Sequence, residues 1–368
     1  MAIYKFWSRL LCVISFLFTS LYFLSGKAFD SYSYLSGSLI IDDLTDRTQI
    51  TSQILKLFGV FGNNLSGLFY IIIATIFFNR YLHKKLITAS RPTLISFLFL
   101  FFPYYIAYIL LPGKESLVCL SIMSIDLLCK LKKNSNTLID SNDIYFRPLI
   151  LIFCFAIILS VRTNLVFSIP LFVYSIMKRE YYISNFLQSG RIKQNLPLQL
   201  LDSKFTSLLL VFVLFSTPFV VYHIYFDLLN GVYTLATYDI GRLSQEPLNI
   251  DFQIPTHWFY ILSVFLIGST FDHLFSPNVS LLPIILNFIA VFSLLYMIRR
   301  LCILLAKRGL LCYTNLTVFS LAIISLYSAF PAAVAMIGNS GTGIRYLLPF
   351  ILITAVSLDN LQRSIYQN

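Results

Sequence analysis

Charge is what this chain has least of. Only 12% of its 368 residues are Asp, Glu, Lys or Arg, about half the share usual in a soluble domain. Histidine occurs four times, at scattered positions with no HExxH pattern and no Cys/His cluster, so no zinc site of familiar spacing is written here. The six cysteines, Cys12, Cys119, Cys129, Cys154, Cys302 and Cys312, form no CxxC pair. Most fall in apolar runs or basic loops, where thiols stay reduced and serve as small packing residues. The chain also has no Walker loop, no repeat of 20–50 residues, no low-complexity tail and no Pro/Gly linker. A nucleotide-driven motor, a solenoid and a string of linked domains are thereby disfavoured, and a single domain over 1–368 is the simplest organisation.

What the chain does have is long apolar runs. Hydrophobic residues make up 58%, and the mean hydropathy is +0.79. Runs such as Leu94–Leu111 and Leu208–Tyr225 meet the ~18-residue criterion for a spanning helix. The net charge of +11 could suggest nucleic acid, but no nucleic-acid-binding motif accompanies it. The basic residues instead punctuate the apolar runs, as at Lys130-Leu-Lys-Lys133, Lys178-Arg179 and Arg299-Arg300, the pattern of cytoplasmic loops.

The expected fold class is all-α, a polytopic membrane helix bundle of about 10–11 transmembrane helices. Spans are predicted near 8–25, 59–78, 92–111, 116–130, 147–161, 164–177, 206–227, 281–298, 316–337 and 346–359. The first, after Lys5 and Arg9, resembles a signal peptide but lacks a small-x-small cleavage site, so an uncleaved first helix is expected. With both termini inside, the sizeable outer loops are 26–58 and 228–280. Seven of the 27 basic residues then face outward: Lys27, Arg47, Lys56, Lys114, Arg162, Arg242 and Arg345, which fits the positive-inside rule. Trp258–Phe271 is apolar but short, and it is read as interfacial or re-entrant. If it crosses as an eleventh span, everything after it inverts.

Three charged junctions lie opposite the basic loops: Pro112-Gly-Lys-Glu115, Val161-Arg-Thr-Asn164 and Gly341-Thr-Gly-Ile-Arg345. A charge at a membrane junction that is no topology anchor is a functional-site candidate. Glu115 falls in the first turn of a helix, where the dipole favours an acid. Lys114 is less well explained by capping, and an anionic ligand at that helix start would account for it. Arg162 interrupts the apolar stretch Pro148–Met177 and requires a carboxylate or phosphate partner, with snorkelling to lipid headgroups as the plainer account. Gly338–Gly343 is read as a flexible, donor-rich turn before Arg345 and Tyr346, offering an anion site and a ring for a sugar or lipid face. A plain interhelical turn is the alternative. Asp30 and Asp43 in the first outer loop are candidates to accept a hydroxyl proton, or else helix caps. No cofactor is expected, and no metal site is assigned.

Asp30-Ser-Tyr-Ser-Tyr34 after the first span resembles the acidic motif in the first outer loop of GT-C-type membrane glycosyltransferases. Pro103-Tyr-Tyr-Ile-Ala-Tyr108 leading to Gly113-Lys-Glu-Ser116 is similar to a second such segment, and Ser160-Val-Arg-Thr-Asn164 and Arg345-Tyr-Leu-Leu-Pro349 resemble later arginine elements. The layout is also similar to bacterial O-antigen and capsule polymerases. The resemblance implies transfer of undecaprenyl-diphosphate-linked glycan onto a lipid-linked repeat unit at the periplasmic face of the inner membrane. It further implies membrane lipids and a chain-length regulator protein as partners. Many GT-C enzymes carry a soluble domain in the late outer loop; this chain has none, which favours a polymerase over a protein-modifying transferase. Single-sugar transfer from a polyprenyl-phosphate donor is the near alternative, and a lipid-linked oligosaccharide flippase the alternative of another class.

The topology is checked by single cysteines placed in a cysteine-free background and probed with a membrane-impermeant maleimide in spheroplasts. N339C is expected to label in intact spheroplasts, and N134C and K307C only after permeabilisation. Labelling of K307C in intact spheroplasts would mean that Trp258–Phe271 crosses.

Overall fold

The computed structural model describes residues 2–26, 28, 47–61, 63–88, 103–130, 141–187, 203–213, 313–329 and 340–366, with isolated helical positions at 216, 292, 295, 296, 299 and 303. Every regular element among the described residues is helical, as the all-α expectation requires. The helices are α1 (Ala2–Leu24), α2 (Arg47–Leu57), α3 (Asn64–Thr88), α4 (Pro103–Leu110), α5 (Lys114–Lys130), α6 (Ser141–Val161), α7 (Ile169–Leu187), α8 (Lys204–Val213), α9 (Tyr313–Leu326) and α10 (Ser340–Tyr366). A short 3-10 segment, Thr163–Phe167, lies between α6 and α7. Asp30, Asp43, the loop 228–280 and Trp258–Phe271 lie outside the described residues.

One helical stretch among these residues, Asn64–Lys85, is by itself long and apolar enough to cross a bilayer. Shorter apolar stretches are Arg9–Leu24, Pro148–Val161, Lys204–Val213, Leu316–Leu326 and Leu347–Leu361. Three helices continue beyond the predicted span ends, α3 to Thr88, α7 to Leu187 and α10 to Tyr366. Arg80, Lys84, Lys85, Lys178 and Arg179 are good helix formers, so charge marks a polarity boundary there and not a helix end. Helix α2 falls wholly within the predicted outer loop 26–58. Its stop is a Schellman motif: Gly59 has φ +77°, Gly59 N–H donates to Lys56 O at 2.9 Å, and Val60 N–H donates to Leu55 O at 3.0 Å. Leu55 and Val60 are both buried, the apolar contact that accompanies this motif. Helix α3 then opens on Asn63, whose Oδ1 accepts from Ser66 N–H at 2.7 Å, an N-cap.

The chain divides into two compact units, Met1–Leu165 and Val166–Asn368. In the first, α5 is the most enclosed helix: almost all of its side chains from Glu115 to Asp126 are buried. It packs on α4, α3 and α6, while α1 packs on α3 and α4. In the second unit, α10 packs on α7 and is buried on nearly all sides from Leu347 to Leu361, as expected of a helix apolar all round. Leu171, Tyr174, Val318, Leu321, Ala322 and Leu361 form its core. Ser168 Oγ donates to Ser328 Oγ at 2.6 Å, and Arg179 Nη1 to Asn360 Oδ1 at 2.8 Å. Outward faces in the first unit are strongly apolar, with Val13, Leu17 and Leu21 on α1, Phe69, Ile72 and Ile76 on α3, and Ile152 on α6 all exposed.

Gly67 lets α3 approach α1 closely. A Cβ there would sit 2.7 Å from Phe23 Cε1, and Phe23 is fully buried. Gly67→Ala is therefore expected to lower stability by about 1–3 kcal/mol through overpacking, measured as thermal unfolding of the purified protein. Phe23→Leu in the same background should restore most of the loss.

Candidate functional site

The first unit brings together three of the residues singled out from sequence. Helix α4 closes with Leu111 N–H donating to Ala107 O at 2.8 Å, and α5 starts with Leu117 N–H donating to Gly113 O at 3.1 Å. Lys114 and Glu115 therefore open α5 directly after a three-residue reversal. Ser116 fastens that reversal. Its hydroxyl donates to Ile109 O at 2.6 Å, satisfying one of the carbonyls that α4 leaves without an intrahelical donor. The Tyr70 hydroxyl of α3 lies 2.7 Å from Ser116 Oγ, so α3, α4 and α5 meet at one buried residue.

Arg162 follows the last residue of α6. Its N–H still donates to Ile158 O at 2.9 Å, and its carbonyl accepts from Leu165 N–H at 3.0 Å in the 3-10 segment. Arg162 thus marks the interruption predicted in Pro148–Met177. Its Nη2 donates to Glu115 Oε1 in a close ion pair, with side chains 11% and 3% exposed. The carboxylate partner that Arg162 requires is therefore supplied by the adjoining junction. Each partner also suits its helix end, an acid at the start of α5 and a cation at the end of α6. Lys114 Nζ donates to Thr48 Oγ1 at 3.2 Å, which brings α2 onto the same site. Among the described residues, the cluster holds two cations and one carboxylate in a largely enclosed setting. Such a setting suits an anionic ligand, since a guanidinium presents five donors in a fixed fork that matches phosphate oxygens.

A second buried cluster lies at the other end of α5. Lys85 Nζ is 2.8 Å from Asp126 Oδ2, with side chains 2% and 0% exposed. The Tyr81 hydroxyl donates to the same oxygen at 3.1 Å, and Lys85 Nζ lies 5.8 Å from the Tyr81 ring centroid. Asp126 is eleven residues beyond Glu115, which on an α-helix means about 16 Å along the axis and within about 20° of the same face. Sequence reasoning assigns no role to Asp126 and treats Lys85 as a topology anchor. The signal that could have found them is the single acid within the otherwise uncharged stretch 116–129, an ionisable residue inside a predicted span.

Arg345 and Tyr346 belong to the second unit. Both lie in the second turn of α10, with Arg345 half-buried. Residues Ser340–Gly343 are helical, which corrects their reading as a flexible turn; they supply first-turn amides, which have no intrahelical acceptor. Pro349 has no N–H to offer the Arg345 carbonyl four residues back. Asp30 and Asp43, the predicted proton acceptors, lie outside the described residues. Among the described residues, no group of three His, Cys, Asp or Glu side chains is placed to hold a metal ion. No protein family, curated protein or solved structure matches this chain.

The Lys85–Asp126 pair gives a direct prediction. Breaking a buried pair from one side leaves an uncompensated charge, so Lys85→Met or Asp126→Leu alone should cost about 3–5 kcal/mol. The double variant K85M/D126L should recover most of that loss in thermal unfolding. A double variant as unstable as the singles would contradict a simple pair.

Proposed function

We infer that the chain is a polytopic membrane glycosyltransferase that polymerises a surface polysaccharide. The observation that carries this reading is the Glu115–Arg162 ion pair with Lys114 beside it. Among the described residues it is a group of two cations and one carboxylate, built from two junctions that the charge pattern assigns to the outer face. The exposed apolar faces of α1, α3 and α6 support the multispanning arrangement, because apolar patches of that extent call for lipid or a partner.

In the proposed reaction, a hydroxyl of the lipid-linked repeat unit attacks the anomeric carbon of the glycan carried on undecaprenyl diphosphate. A carbon–oxygen bond forms to the acceptor, and the bond from that carbon to the diphosphate oxygen breaks. Undecaprenyl diphosphate leaves with the electron pair. The hydroxyl proton passes to a carboxylate, assigned to Asp30 or, second, Asp43. Arg162 and Lys114 stabilise the charge that develops on the leaving diphosphate. Glu115 keeps the guanidinium paired and aimed between turnovers, when no phosphate is present. Arg345 and Tyr346 keep their assigned anion- and sugar-binding roles on the second unit. The setting is the periplasmic side of the bacterial inner membrane, with a chain-length regulator protein as partner.

Deletion of the gene in its host, followed by electrophoresis of the surface glycan, tests this reading. Loss of long chains with single-repeat capped lipid retained is the expected result. A ladder of normal length lacking one branch sugar would mean single-sugar transfer, and total loss of surface glycan would mean lipid export. Re-expression of Arg162→Ala at wild-type level should reproduce the loss of long chains. Normal chain length from that variant would overturn the role of Arg162.

A further inference from the structure

The Glu115–Arg162 pair is nearly closed off from its surroundings, with side chains 3% and 11% exposed. A ligand as large as a diphosphate does not reach Arg162 in that state, so something over the cluster has to move. Helix α2 is the described element that comes to the cluster from the predicted outer loop 26–58. It packs on α6, which Arg162 follows directly, and Thr48 in its first turn accepts the hydrogen bond from Lys114 Nζ at 3.2 Å.

The two ends of α2 are held differently. Its C-terminal end is anchored by carbon. Leu55 and Val60 are buried on either side of the Schellman turn, and the Phe58 ring lies edge-on to Phe153 of α6, with centroids 6.3 Å apart. The first turn, Arg47–Ile50, is only half-buried and meets the cluster through the Lys114–Thr48 hydrogen bond. Between these ends the buried face is poor in carbon: it consists of Thr51, Ser52 and Leu55. Thr51 Oγ1 donates back to Arg47 O at 2.6 Å within the helix. Ser52 is 1% exposed, and its hydroxyl has no hydrogen-bond partner among the described residues. Seating α2 therefore buries a hydroxyl at a cost that contact with water would remove. A face that buries little carbon and leaves a hydroxyl dry belongs to an element that opens locally before the rest of the unit does.

We propose that α2 is the gate of the anion site: it swings on its Leu55–Val60 anchor, the Lys114–Thr48 hydrogen bond is its latch, and opening admits a diphosphate group to Arg162 and Lys114. The proposal rests on the glycosyltransferase reading for the diphosphate; the gate itself rests on how α2 is held. Thr48 is then a positioning residue. It holds the Lys114 ammonium while the site is empty and gives it up when a phosphate oxygen takes its place. The coupling has a definite sign. Because the closed form excludes the anion, an anion that binds shifts the population toward the open form. Ligand therefore loosens α2 and does not tighten it.

The test is hydrogen–deuterium exchange of the full-length protein in phosphatidylcholine nanodiscs, read by peptide mass spectrometry. Amides of segment 51–57 on α2 are expected to exchange at least tenfold faster than those of 118–126 on α5. Thr48→Val removes the latch hydroxyl and keeps the branched shape; it should speed α2 at least threefold and leave α5 unchanged. Thr48→Ser should keep the wild-type rate. A third measurement needs no variant: millimolar pyrophosphate should speed α2 at least twofold over sodium chloride of equal ionic strength. Exchange of α2 in step with α5 would overturn the gate. So would an α2 rate that Thr48→Val leaves unmoved, or one that pyrophosphate slows or does not change. Phosphatidylglycerol placed in the nanodisc should leave the α2 rate where it was. If it speeds α2 as much as pyrophosphate does, bulk headgroups reach the site and the assignment to a diphosphate is overturned. The two readings fail separately. An α2 that loosens with pyrophosphate, together with an unaltered glycan ladder after gene deletion, sinks the polymerase and spares the gate. A deletion that abolishes long chains, with α2 exchanging in step with α5, does the reverse.

Discussion

A carboxylate taken out of water must be given a cation, and helix α5 carries one such carboxylate near each end. Glu115 is answered by Arg162 and Asp126 by Lys85, all four largely or wholly buried. The two acids project from nearly the same face of α5, yet their partners come from different places, the end of α6 and the last turns of α3. Satisfying both at once fixes the rotation of α5 about its axis and its height against two neighbours. Apolar packing alone specifies such a register weakly, because one leucine-rich face slides against another at little cost. Buried ion pairs add little net stability, but leaving either half alone is expensive. Their structural contribution here is to exclude wrong registers.

The two pairs differ in what surrounds them. Around Asp126 the described residues supply one base, Lys85, and the Tyr81 hydroxyl donates to the same oxygen. Around Glu115 the described residues supply two cations, Arg162 and Lys114, the latter held toward Thr48. A buried pair in the middle of the first unit serves the fold; two cations at a junction between helices are suited to an anionic ligand. For that reason the functional reading rests on one end of α5 and not on the other, although the two ion pairs look alike in isolation.

Much of this was legible in the sequence, though unevenly. Lys114, Glu115 and Arg162 stand out because each interrupts an apolar run where no topology anchor is needed. Their pairing could not be read, since residues 47 positions apart meet only through the packing of α5 on α6. Hydropathy overlooks α2, whose mixed composition resembles a loop, although Gly59 is a helix-stop signal of the usual kind. It also hides Asp126, because one acid in a long apolar stretch barely lowers its mean. Gly338–Gly343 illustrates the opposite error: three glycines predict a turn, yet from Ser340 onward the chain is already α10, whose buried stretch from Leu347 outweighs the helix cost of two glycines, of the order of 1 kcal/mol each.

The central claim is that the Glu115–Arg162 pair is a functional device and not merely a brace. Exchanging the partners, E115R with R162E, tests it most directly, because the exchange keeps a buried ion pair while reversing its polarity. The account predicts a protein that folds and reaches the membrane, less stable by about 1–2 kcal/mol because each charge then opposes its helix dipole, with long-chain glycan absent from the cell surface. Normal-length glycan from that exchanged protein would contradict it, and would reduce the pair to a structural tie.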